Sequence, residues 1–159
     1  MRKILYVIVF LAGFIVFMPK EELFFTFQRY LPDTVINFDS IKQTPVSLSL
    51  NNSEIYYNGM DIASVKEIKI LPLVFYNKVG LKNLDLGINN LKINTLNLVY
   101  TALFPLSVDV SGKASFGNIK GSIDLKKRRL KVYITDIKGN FIRQFLRKDK
   151  KGYFYETAF

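Results

Sequence analysis

From residue 34 to the end of the chain, apolar side chains recur at every second position, and this period limits the fold more than any other feature. Successive residues of a β-strand point to opposite faces, so an alternating run is a strand with one buried face. Val46, Leu48 and Leu50 alternate with Ser47, Ser49 and Asn51. Val79 and Leu81 lead to Leu84, Leu86 and Ile88 through a phase slip at Asn83, which predicts a bulge. Leu91 and Ile93 stay in phase, and Leu96 and Leu98 resume after a second slip. Leu106, Val108 and Val110 form another set, and Ile119, Ile123 and Leu125 precede Leu130, Val132 and Ile134.

Turn residues punctuate these runs. Asn58-Gly59 between SEIYY and MDI is a strong two-residue hairpin signal. Asn77-Lys78, Asn89-Asn90, Gly112, Gly117-Asn118 and Lys126-Lys127-Arg128-Arg129 predict further reversals. No helical pattern intervenes, so the expected fold is mainly β, an antiparallel meander over residues 34–159 with one solvated face. Two stretches do not alternate: LPLVFYN (Leu71 to Asn77) and LNLVYTALFPL (Leu96 to Leu106) are continuously apolar. They are either strands buried on both faces or an apolar surface for a partner or lipid, with Leu71, Leu73, Phe75, Leu103 and Phe104 as its candidates; Phe104-Pro105 suits a bend or a strand edge. Near the end, Phe141, Ile142, Phe145 and Leu146 have helical spacing. A short C-terminal helix over Asn140 to Lys148 is expected, with Asn140 as its N-cap, then a turn at Lys150-Lys151-Gly152 and a last strand.

The N-terminus obeys a different rule. Ile4 to Met18 is an uncharged run of 15 residues, preceded by Arg2 and Lys3 and followed by Pro19. At ~1.5 Å per residue it spans about 22 Å, and flanking Lys3 and Lys20 can extend its reach toward a ~30 Å hydrocarbon layer. No small-residue cleavage pattern precedes Pro19, and no Cys follows Leu11-Ala12-Gly13. Residues 4–19 therefore read as a retained transmembrane anchor, with Ile4, Leu5, Val7, Ile8, Phe10, Leu11, Phe14, Ile15 and Phe17 facing lipid. Arg2 and Lys3 favour a cytoplasmic tail at residues 1–3 and export of the rest. Residues 20–32 read as an amphipathic juxtamembrane helix between Pro19 and Pro32, with Leu23, Phe24, Phe27, Tyr30 and Leu31 on one face. That face rests either on the membrane surface or on the β-domain.

Composition narrows the chemistry. With no Cys and no His, disulfides, thiolate and imidazole metal sites and His-dependent catalytic dyads are excluded. Carboxylates are scattered, and Asp85 and Asp109 lack partners at useful spacing. No phosphate-loop, dinucleotide or nucleophile-elbow motif occurs, and Gly112, Gly117 and Gly121 read as turn and bulge glycines. The expectation is a non-enzymatic protein without cofactor or metal. The net charge of +10 lies wholly in the C-terminal third, where Lys113 to Gly152 carries 13 basic residues against Asp124, Asp136 and Asp149. Its densest part is Lys126, Lys127, Arg128, Arg129 and Lys131, a contact for an anionic lipid or acidic partner or simply a solvated hairpin tip. Aromatics do not interleave these charges, so nucleic acid is not the expected partner.

The order anchor, Pro-led amphipathic stretch, then SEIYYNGMDIASVKEIKILPLVFYNKVGLKNLDL and PLSVDVSGKASFGNIKGSIDLKKRRLKVYITD resembles the type II secretion system protein N family and its AsmA-like relatives. The resemblance implies a bitopic protein of a Gram-negative inner membrane with a periplasmic β-domain, no catalytic residues, and other envelope-complex proteins as partners. In architecture alone the chain is similar to the lipopolysaccharide-transport bridge subunit, which implies a curved sheet forming an open, lipid-handling groove.

Overall fold

The computed structural model describes residues 2–31, 33–87, 91–139, 142–150 and 152–159. Two helices, α1 (Arg2–Phe17) and α2 (Lys20–Arg29), precede the strands. These are β1 (Thr34–Gln43), β2 (Leu48–Tyr57), β3 (Met60–Pro72), β4 (Tyr76–Asp85), β5 (Lys92–Thr101), β6 (Ser107–Ala114), β7 (Gly117–Asp124), β8 (Arg129–Thr135), β9 (Arg147–Asp149) and β10 (Gly152–Ala158). All ten form one open antiparallel sheet in the order β1-β2-β3-β4-β5-β6-β7-β8-β10-β9. The meander is broken only at its end, where β10 pairs with β8 and β9 lies outside it.

Local chemistry accounts for the hairpins. Asn58 and Gly59 have φ of 51° and 77°, the paired positive values of a type I′ turn. The charged Lys126–Arg128 stretch turns with Arg128 at φ 48°. Two expected reversals are corrected. Asn77-Lys78 lies inside β4 and Gly112 inside β6, while the chain reverses at 73–75 and 115–116. The expected turn at Asn89-Asn90, together with Ile88, lies outside the described residues, as do Pro32, Asn140, Phe141 and Lys151.

Gly112 and Gly121 serve close approach, not reversal. They lie on the inward face of neighbouring strands, in pairs with Leu96 and Val132. A Cβ on Gly112 would meet the Thr95 carbonyl, and one on Gly121 the Lys131 carbonyl and Val132 Cα. Only glycine leaves room there.

The phase slip at Asn83 is not a bulge. Leu81 and Leu84 share a face although three residues apart, and so do Phe38 and Ile41, Leu50 and Ser53, Val65 and Ile68, and Ile93 and Leu96. Register is kept from β1 to β5 at this level, so all five strands invert together. Asn52 and Asn83 take φ of 48° and 50°, a conformation Asn tolerates better than most residues. β6 does not invert, and the second slip seen in the sequence becomes a bulge between Ile93 and Thr95 opposite Ala114 and Lys113.

The inward face carries the core. Leu50 is 0% exposed, Leu48 1% and Val65 2%, joined by Ile68, Leu84, Ile93, Val110, Ile119 and Ile134. Close backbone contacts of the strands are mainly with their sheet neighbours; α2, against β1, is the helix that adds to them. The continuously apolar stretches are not buried on both faces. They are strand ends running into loops, where Val74, Phe75, Leu103, Phe104 and Leu106 are exposed.

The expected C-terminal helix is a correction. One 3-10 turn forms (Ile142–Phe145), and Arg147–Asp149 pairs with Gly152–Phe154 as a strand. A nine-residue helix is too short to be stable without packing, and the turn at residue 150 offers its last residues a partner strand instead.

Two substitutions test the inner face, with Gly80→Ala on the outer face as a control. Gly121→Ala is expected to lose about 1–3 kcal/mol, as overpacked sites do, whereas Gly80→Ala, whose added Cβ stays at 3.5 Å from Asn97, costs far less. Ser53 Oγ is buried and has no hydrogen-bond partner among the described residues. Ser53→Ala is therefore expected to hold or raise stability by about 1 kcal/mol in chemical denaturation.

Candidate functional site

α1 presents its apolar surface outward. Every side chain from Ile4 to Phe10 is more than half exposed, and Phe14 and Phe17 are exposed as well. Leu11 and Ile15 are half-buried. Seven consecutive exposed residues cover two turns, so no single face is reserved for the rest of the protein. Among the described residues no single helix is long and apolar enough to cross a membrane; α1 and α2 pass that test together, as a pair bent by 67°.

Lys20 bridges the bend. Its ammonium does not reach outward but donates to the carbonyls of Ile15 (2.8 Å) and Met18 (3.2 Å). It caps the C-terminal carbonyls of α1, which have no intrahelical partners, and its charge opposes the helix dipole there. Pro19 stands at the N-cap of α2, Glu21 and Glu22 occupy its first turn, and Tyr30 ends it.

Of the two expected seats for α2, the structure provides the β-domain. Phe24 is buried, with its ring edge-on to Phe38 of β1 at 6.0 Å. The Gln28 amide donates to the Ile36 carbonyl, and the Glu21 N–H donates to Gln43 Oε1. Leu23, Phe27 and Tyr30 remain exposed. Beside this contact lies a cleft of about 710 Å³, lined by Phe25, Leu31, Val35, Ile36 and Phe38 with Gln28, Arg29 and Asp33.

The Glu21–Gln43 contact places the α1–α2 junction at one end of the sheet. Gln43 ends β1, and antiparallel pairing puts that end on the same side as the turns 44–47, 73–75, 102–106 and 125–128. The last three of these turns and the C-terminus are linked in succession: the Ala102 N–H donates to the Phe75 carbonyl, Leu125 to Leu106, and Phe159 to Arg128. The structure thus brings Phe75, Leu103 and Phe104 together and adds Val74, from the same continuously apolar stretch as Phe75, and Leu106 and Leu125, which alternation assigns to strands. Apolar runs that continue past a strand end were the available signal. Leu73 is half-buried. Leu71 belongs elsewhere, on the outer face of β3 beside Lys69, Lys78 and Lys82 in a recess of about 430 Å³.

The basic cluster divides. Lys126, Lys127 and Arg128 form the exposed tip, where Lys127 lies 3.9 Å from Asp124. Arg129 pairs with Glu156 at 3.1 Å. Lys131 is committed to the outer face: its ammonium sits 4.3 Å from the Phe154 ring centre and 3.7 Å from Asp149. A hydrogen bond with Tyr133 is the main cause that raises its pKa, against partial desolvation. Among the described residues no three acidic side chains gather where a metal could sit.

Comparison with known proteins returned no matching family, no similar curated protein and no similar solved structure. The likeness to secretion-system and AsmA-like proteins rests on the sequence pattern alone.

Two measurements follow. Phe24→Ala removes the main α2 anchor and is expected to cost about 3 kcal/mol locally. Amide exchange should accelerate across Lys20–Arg29 while the centres of β3 and β7 stay protected. Asp85 accepts from the Gly87 N–H and pairs with Lys92 at 3.0 Å, which together hold its carboxyl below the ordinary 3.8. A depressed carboxyl stabilises the fold above its unfolded value, and that contribution disappears as pH falls through the folded one. The Asp85 carboxyl should titrate below 3.8 by NMR, and Lys92→Gln should move its midpoint upward.

Proposed function

We propose that the chain is a non-catalytic, membrane-anchored subunit with an accessory or structural role in an envelope-spanning assembly of the type II secretion, type IV pilus or DNA-uptake kind. In this reading residues 1–3 are cytoplasmic, 4–19 lie in a bacterial inner membrane, and 34–159 form a periplasmic domain. One observation carries it: α1 is apolar on all sides, and the sheet leaves Ile4 to Phe10 exposed. In water that surface would be a liability, and in lipid it is a solvent match. Sixteen helical residues rise about 24 Å, which a thinned bilayer accommodates.

The sheet supports a scaffold more than a carrier. A single sheet closes its apolar face by coiling, and we take this one to be coiled around its own side chains. Leu48, Leu50 and Val65 then occupy the space an acyl chain would need. The outer edges β1 and β9 offer backbone groups to which a partner strand could add.

A second reading, lipid or lipopolysaccharide handling, has the cleft between α2 and β1 in its favour. Its 710 Å³ falls within the range of ligand sites, and its walls include Phe25, Leu31, Ile36 and Phe38.

Carbonate washing of membranes and a C-terminal reporter active only outside the cytoplasm test the anchored reading. Retention in the pellet with an active reporter is expected; release into the wash would overturn it. Native mass spectrometry separates the two roles: a retained protein partner supports the scaffold, and a retained phospholipid supports the carrier.

A further inference from the structure

We infer that the loop end of the sheet is a second membrane contact, a rim that sinks apolar tips into the interfacial zone of an anionic bilayer. The inference extends the anchored reading and uses different residues. The rim is continuous because three inter-loop hydrogen bonds join turns 73–75, 102–106 and 125–128 and the C-terminus. Along it the large side chains turn outward: Phe75 is 63% exposed, Leu103 86%, Phe104 70% and Leu106 56%. A shallow recess of about 420 Å³ runs from Leu103 and Phe104 to Asp124 and Lys126, joining the apolar tips to the basic one.

Two arguments choose a lipid surface over other occupants. The first is charge. Asp124 and Glu156 engage Lys127 and Arg129, while Lys126 and Arg128 carry no ion pair among the described residues. Apolar tips beside excess cationic charge match the interface of an anionic leaflet, where rings sit at headgroup level and ammonium and guanidinium groups meet phosphates. The second is position. The Glu21–Gln43 contact brings the α1–α2 junction to this same end of the sheet, so a bilayer holding α1 lies beside the rim. Among the described residues the opposite end, with Asn58-Gly59, has no such link to the α1–α2 junction.

The chain contains no Trp, so a single introduced Trp reports its own surroundings. Phe104→Trp, Met60→Trp at the opposite end and Phe10→Trp in α1 would each be placed in the full chain. Each variant is then reconstituted in phosphatidylcholine–phosphatidylglycerol vesicles containing spin-labelled lipid. The expected result is a blue-shifted, quenched Trp at 104 and an unshifted, unquenched one at 60. Pure phosphatidylcholine, high salt or the triple change K126E/K127E/R128E should weaken quenching at 104, by roughly fivefold in the docked-to-undocked ratio for each basic charge removed. Quenching at position 10 but not at 104 overturns the rim and leaves the anchor standing. Quenching at 104 without quenching at 10 supports the rim and removes the anchor. Quenching at neither overturns both. A Trp at 104 that is shielded but unquenched by lipid assigns the tips to a protein partner and also overturns the rim.

Discussion

One sheet must bury its own apolar face. Among the described residues no other element covers it, because α2 lies against part of β1 and α1 faces outward. Transfer of apolar surface from water is the dominant favourable term in folding, so Leu48, Leu50 and Val65 cannot be left on an open face. The strands must therefore approach one another closely on that side. Gly112 and Gly121 permit this approach between β5, β6, β7 and β8, where any side chain would strike a neighbouring backbone. From β1 to β5 the same face is maintained across a line where every strand inverts its alternation, eased by positive φ at Asn52 and Asn83. Ser53, buried there with no hydrogen-bond partner among the described residues, is a cost of keeping that line continuous.

The outer face has the reverse chemistry. Glu67–Lys82, Asp85–Lys92 and Arg129–Glu156 join adjacent strands across it, and Lys131 lies over Phe154. Exposed pairs of this kind contribute little each, so they serve solubility and register more than stability. The inner side carries the buried apolar side chains and the outer side the charges, so the proposed function places partners at the two edges and the loop end. The α1–α2 junction lies at that loop end.

Much of this was legible in the residues, for physical reasons. Period two gives strands, Asn-Gly gives a type I′ turn, and a charged run gives a reversal, because each signal is local. The inversion at Asn83 was visible as a slip but not as a line across five strands, since only pairing reveals that Asn52 and Asn83 act at one level. Gly112 looked like a turn because sequence cannot distinguish a glycine needed for φ from one needed for space. Phe145 and Leu146 looked helical because their spacing fits, while the competing strand at 147–149 depends on a partner five residues away. At the candidate site, Lys126 to Lys131 read as one patch, but alternation sends Lys131 to the outer face and the turn keeps Lys126 to Arg128 at the tip.

The absence of native Cys makes the central claim directly measurable. Single cysteines at Leu50 and Val65 on the inner face, and at Asn51 and Lys66 on the outer one, can be challenged with a maleimide in the folded protein. Slow labelling at 50 and 65 that becomes fast only with denaturant, beside immediate labelling at 51 and 66, is the predicted pattern. Equal rates at all four positions would mean that the sheet is open on both sides, which contradicts a self-closed core.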